Sequence, residues 1–155
     1  MPNGSKLVCL RVAWGAAIVV AGCIVAAGAA RAEPQELKVV EHATTDAVTD
    51  TGAEGDSAGD ILTFANDVYD ADDKEKIGTD QGVCFRTLPG KAWECFWTIN
   101  LEQGQITVEG PFLDSGDSVL AITGGTGAFA GAQGDMALHA RNAEGTAYDF
   151  VYRIK

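Results

Sequence analysis

The sequence predicts an all-β domain of eight antiparallel strands behind a short N-terminal leader. Three observations carry this reading. Short apolar or alternating runs recur at regular spacing. Clusters of Gly, Pro, Asn and Asp separate them. No stretch after the leader shows the apolar period of an amphipathic helix. Such a rhythm fits a sandwich or a barrel.

Taken in order, the runs are 37–43, 61–69, 76–87, 93–101, 106–112, 118–123, 131–140 and 146–154. The second and third are divided by Asp70-Ala71-Asp72-Asp73, and the third and fourth by Leu88-Pro89-Gly90-Lys91. Glu102-Gln103-Gly104 and Asp114-Ser115-Gly116-Asp117 supply the next two turns. The glycine run around Gly124–Gly127 and the segment Arg141–Gly145 supply the last two. Gly and Asn accept the positive φ angles that tight turns impose, and Pro fixes φ where a turn begins. The long polar stretch 44–59 matches no strand pattern and is expected to form a mobile loop, in the position of a lid.

The leader occupies residues 1–32, and the barrel-sized domain runs from 33 to 155. Lys6 and Arg11 precede an uncharged stretch to Ala30, and Ala30-Arg31-Ala32 closes it. A basic start, an apolar middle and an A-x-A end read as a cleaved signal peptide. Two alternatives stay open: a membrane span, and a lipid anchor on Cys23 in Val20-Ala21-Gly22-Cys23. Cleavage takes three basic residues from a chain of net charge −11 and leaves −14. Such acidity argues against nucleic acid or an anionic membrane as partner of the mature chain. The expected location is secreted or periplasmic.

Export leaves two cysteines, Cys84 and Cys95, in an oxidising compartment. A hairpin turning at Pro89-Gly90 would oppose Cys84 to Cys95, Arg86 to Trp93 and Gly82 to Trp97. Opposed residues share a face, so a structural disulfide between Cys84 and Cys95 is expected.

Gly125-Thr126-Gly127-Ala128-Phe129-Ala130 fits the spacing of a dinucleotide-binding loop. That loop needs a helix behind it and an acidic residue about twenty positions on. Gly131–His139 reads as another strand and no such acid follows. The glycines are therefore expected to turn the chain at a barrel corner.

Four segments carry a resemblance: "GDILTFANDVYDADDKEKIGTDQGVC", "GQITVEGPF", "DSVLAITGGTGAFAGAQGDMALH" and "YDFVYRI". Together they resemble the allene oxide cyclases and their relatives, the dirigent proteins, from about Gln35 to the C-terminus. The resemblance implies an eight-stranded antiparallel β-barrel of calycin-like form with an apolar cavity, often trimeric. It also implies a cofactor-free isomerase that opens an unsaturated epoxide to an oxyallyl species and closes a five-membered ring. That chemistry asks the protein to stabilise charge, bend a flexible chain and exclude water. By the same resemblance Glu41 falls where a carboxylate faces the delocalised cation. Asn66 falls where an asparagine holds a water at the epoxide oxygen, and Cys84 where a cavity cysteine stands. Departures are visible: Ala43 replaces a family asparagine, the family's Ser-Pro pair is absent, and Cys95 is extra. A dirigent-like or lipocalin-like barrel that binds a small hydrophobic ligand without catalysis is the alternative.

Other candidates weigh less. Trp93 and Trp97, with Arg86 beside them, could line a cavity or simply pack. Glu41 could face solvent and Asn66 could bond locally. His42 and His139 have no clustered partners, so no metal site is expected. Asp70–Asp73 lacks the pattern of a calcium loop.

Overall fold

The computed structural model describes residues 35–155; the leader expectations, Cys23 included, lie outside them. Nine strands form, in chain order β1 (Gln35–His42), β2 (Ala47–Thr49), β3 (Ile61–Tyr69), β4 (Lys76–Leu88) and β5 (Ala92–Leu101), then β6 (Gly104–Leu113), β7 (Ser118–Gly125), β8 (Gly134–Ala140) and β9 (Ala147–Ile154). Hydrogen bonding runs β1-β9-β8-β7-β6-β5-β4-β3, and β1 then pairs with β3. The ring therefore closes with eight antiparallel strands, which bears out the expected barrel and leaves no long free edge. β2 lies outside the ring, against the start of β3.

Closure follows from alternation. Along β5, Trp93, Cys95, Trp97 and Ile99 are buried, while Glu94 and Phe96 between them are exposed. Ile99, Ile106, Val108, Met136, Tyr152 and Val39 fill the middle of the barrel. They divide the interior into two ends. One end is marked by Glu41, Cys84 and Tyr148, the other by Leu37, Ile77 and Leu101.

The hairpin β4–β5 has the register the sequence implied. Cys84 opposes Cys95, Arg86 opposes Trp93 and Gly82 opposes Trp97. The two cysteines form a disulfide on the inner face. Gly82 is required there, because a Cβ at that position would collide with the Trp97 side chain and the Phe96 carbonyl.

Two details differ from the sequence reading. The glycine-rich turn after the sixth expected run contains a short 3₁₀ turn, Gly127–Phe129, and the strand expected from residue 131, β8, starts only at Gly134. The segment 44–60 is not a free loop. Arg86 fixes it: its guanidinium lies 4.0 Å over the Trp93 ring. Nη1 makes two hydrogen bonds to Asp114 at 2.7 and 2.8 Å, and Nε approaches Asp56 at 2.6 Å. Buried Asp60 accepts from the backbone N–H of Thr51 and of Ser57 at 3.0 and 2.8 Å. Polar composition hid these ties, because the Arg86 partners Asp56 and Asp114 are remote in sequence and the Asp60 bonds go to backbone N–H groups.

The glycine run does work of shape. A Cβ on Gly125 would meet the carbonyl oxygens of Phe129 and Gln105 and the Phe129 Cβ. Gly127 has φ of 59° and also lies against a carbonyl, that of Gln103. Replacing Gly125 by Ala is expected to lower unfolding free energy by about 1–3 kcal/mol, read by urea titration, with no effect on nucleotide binding. The double change Cys84→Ser, Cys95→Ser is expected to remove about 2–4 kcal/mol. Reducing agent should lower the melting temperature of the native chain in the same way.

Candidate functional site

Glu41 sits on β1 between Val40 and His42, and its inward position follows from the alternation that buries Val39. It is only 4% exposed. A buried carboxyl costs stability unless it is bonded or protonated. Asn66, on β3, supplies the bond: its Nδ2 donates to Glu41 Oε1 at 2.8 Å and to Asp46 Oδ1 at 2.8 Å. The amide oxygen accepts from Thr44 N and Thr45 N at 3.0 Å each and from Thr45 Oγ1 at 2.9 Å. Asn66 thus fixes the chain just past β1 and presents two carboxyls to one place.

A cavity of about 30 Å3 opens beside this group. Glu41 and Asp46 give it polarity. Its walls are Leu62, Phe64, Trp97, Phe112, Tyr148, Phe150 and the Cys84–Cys95 disulfide. The aromatics pack edge-on or tilted, with Trp97 5.9 Å from Phe64 and 5.7 Å from Phe150, and Phe112 5.9 Å from Tyr148. The volume suits a bound water; a larger ligand requires these side chains to swing. A second cavity, about 450 Å3, lies at the other end among Leu37, Ile77, Leu101 and Phe129. It is larger, but no buried carboxyl stands in it.

Behind Glu41 stands a residue the sequence reading passed over. Asp80 on β4 is fully buried and pairs in register with Asn66. Its Oδ1 accepts the Asn66 backbone N–H at 3.3 Å. Alternation contained the signal: counting by twos back from Cys84 gives Gly82 and then Asp80 on the same inner face. Burial pushes the Glu41 carboxyl well above its usual range, helped by the charges of Asp80 and Asp46 and opposed by the Asn66 bond. Burial likewise raises Asp80 to about 7. Tyr148 and Tyr152 on β9 are also raised by burial.

The structure brings Glu41, Asn66, Cys84 and Trp97 to one end of the barrel. It places Trp93 and Arg86 elsewhere, in a rim depression with Asp56 and Asp60. Cys84 meets the cavity as half of a disulfide, not as a thiol, so a role that needs free sulfur is not open to it. His42 points away from Glu41, with Nε2 2.7 Å from Asp73 Oδ1, and exposed His139 contacts Asp117. Among the described residues no group of three His, Cys, Asp or Glu is arranged to hold a metal ion. Among them, too, no helix is long and apolar enough to cross a membrane.

Solved structures of similar shape include a pyocyanin demethylase, with a TM-score of 0.69 and 24% identity, covering 78% of this chain and 100% of that one. A pterocarpan synthase dirigent protein gives 0.63 and 14%, covering 79% and 86%. A Diels–Alderase from Streptomyces koyangensis gives 0.61 and 14%, covering 79% and 70%. At such identities the likeness shows the barrel alone. The allene oxide cyclase family itself matches residues 30–143, which take in β1 to β8 and every side chain at the Glu41 end except those of β9. By that match, the chain belongs to the allene oxide cyclase family.

Proposed function

We propose that this protein is an exported, cofactor-free barrel that binds a small hydrophobic molecule at the Glu41 end and steers its isomerisation or cyclisation. The observation that carries the reading is Glu41 itself. A carboxyl 4% exposed, held by an amide and faced by aromatic walls, has no structural need to be acidic. Perturbed carboxyls in clefts are a common mark of reactive sites. Exposed Asp46 supplies negative charge, and the buried Glu41 carboxyl supplies oxygens in surroundings of low dielectric, where a cationic centre develops. The aromatic walls bend an apolar chain and exclude water. Asn66 keeps Glu41 in place. The names of the similar structures support this direction: a dirigent protein and a Diels–Alderase both use this barrel with small molecules. The disulfide and the leader support export. Assembly as a homotrimer belongs to the same proposal.

One observation favours a second reading. The cavity is about 30 Å3 and its cysteine is bridged, which suits a barrel that only binds a ligand after opening. Turnover separates the two. Purified protein is offered unsaturated epoxides and products are followed by chiral chromatography. Glu41→Gln is expected to lower turnover about a hundredfold or more while leaving the fold intact. Equal turnover in the variant removes Glu41 from the chemistry. A ligand recovered unchanged after tight binding favours the non-catalytic barrel. Native mass spectrometry at micromolar protein is expected to show trimers; monomers alone would remove that part.

A further inference from the structure

Glu41 and Asp80 pose a problem that the fold has to solve. Both carboxyls are buried, at 4% and 0% exposure, and Asn66 bonds to both, to Glu41 through its side-chain amide at 2.8 Å and to Asp80 through its backbone N–H at 3.3 Å, which makes the two carboxyls neighbours. Among the described residues, no element packed against them brings a positive charge to the pair. The segment after β1 brings Asp46, β3 brings neutral Asn66, β5 brings Trp97, and β9 brings Tyr148 and Tyr152. Arg86, the buried cation among the described residues, is held by Asp56 and Asp114 at the rim. Two ionised carboxylates in contact at low dielectric, without a counter-ion, repel strongly.

The hydrogen bonds show where relief comes from. Asp80 Oδ1 has the Asn66 N–H as donor, whereas Oδ2 is buried with no donor among the described residues. An acceptor orphaned in this way is costly. A proton between Oδ2 and the Glu41 carboxyl satisfies it and removes one charge. We propose that Glu41 and Asp80 share a single proton, and that Asp80, which does not line the cavity, positions that proton and so sets the charge of the Glu41 oxygen that does.

The pair then carries one negative charge at neutral pH. That state defines what it does to a ligand. Giving up the last proton would place two charges together, so the pair is a poor first donor. Accepting one is favoured. In the step it is built for, a ligand C–H bond breaks next to a carbonyl or an extended π system. Its proton joins the pair, which becomes neutral, and the bonding electrons delocalise into the ligand. Return of a proton to another ligand atom restores the single-proton pair. Charge and atoms balance with no oxidant or reductant. The ligand class that follows is a neutral, apolar molecule with an acidified C–H. This role in turnover rests on the cavity reading above; the proton count of the resting protein does not.

The test therefore begins without ligand. Infrared spectroscopy of the full-length protein, with 13C-labelled Asp and Glu, reads protonated carboxyls directly. A protonated band is expected at pH 6, weakening as pH rises through about 7 but still present at neutral pH, and lost or shifted by about one to three pH units in Asp80→Asn. No protonated band at pH 6, or a band indifferent to both Asp80→Asn and Glu41→Gln, overturns the pair.

Thermal stability gives a second readout. The folded chain holds a proton on a group that ordinarily releases it at 3.8 and here releases it at about 7. Between those values the folded chain binds more protons than the unfolded one, so stability falls as pH rises. His139, raised by Asp117, adds a fall of the same sign and stays in the variant. The slope between pH 4 and pH 7 is expected to flatten in Asp80→Asn relative to the native chain; an unchanged slope counts against the pair. If neither variant folds, 13C NMR titration of the native chain's carboxyls decides, since one raised midpoint belonging to a coupled pair supports sharing and ordinary midpoints throughout refute it. In turnover, Asp80→Asn is expected to displace the pH profile of kcat, whereas a purely structural loss would lower it evenly.

Discussion

The side-chain amide of Asn66 holds the Glu41 end of this barrel together. Its nitrogen donates to two carboxyls, and its oxygen accepts from two backbone N–H groups and a hydroxyl. No other neutral side chain of similar size offers donors and acceptors in that arrangement. The bonds tie together three parts of the chain: the end of β1, the turn that follows it, and β3. Through its backbone N–H, Asn66 also reaches Asp80 on β4. The ring closes in the same neighbourhood, where β1 leaves β9 and pairs with the end of β3. Closure and site geometry therefore depend on the same few residues.

The site is an acidic interior in an acidic protein. Elsewhere on the surface several acids are paired with basic side chains: Asp73 takes His42 and Arg141, Asp67 takes Lys76, and Asp135 takes Arg153. Inside the barrel the pattern reverses, and carboxyls meet an amide and each other. This contrast separates the Glu41 end from the larger hollow at the Leu101 end, whose lining is mixed and whose charged groups, Lys76 and Glu102, are exposed. Cavity size alone would favour the other end.

The fold was highly legible in the sequence because strand alternation and turn chemistry are local. Ile61–Tyr69 was delimited correctly, and the β4–β5 register followed from one Pro-Gly turn. What escaped was long-range. β2 pairs with β3 in a polar segment that Arg86 holds through Asp56, thirty residues back, and Asp60 holds through the Thr51 and Ser57 N–H groups. At the site, the family resemblance pointed to Glu41, Asn66 and Cys84. Asp80 was missed although alternation places it inward, because an acid on a strand is ordinarily a solvent-facing residue. Trp93 and Arg86 shared a face with Trp97, yet face sharing does not say which end of a barrel a side chain reaches.

The central claim is that ligands enter at the Glu41 end. Side-chain NMR during titration with a small apolar ligand tests it most directly. Trp97 sits in one end and Leu101, two turns of alternation further along the same strand, lies in the other. The Trp97 indole N–H and the Phe150 and Tyr148 ring signals should shift saturably, with Leu101 and Ile77 methyls unmoved. Saturable shifts at Leu101 and Ile77, with Trp97 silent, would contradict the account.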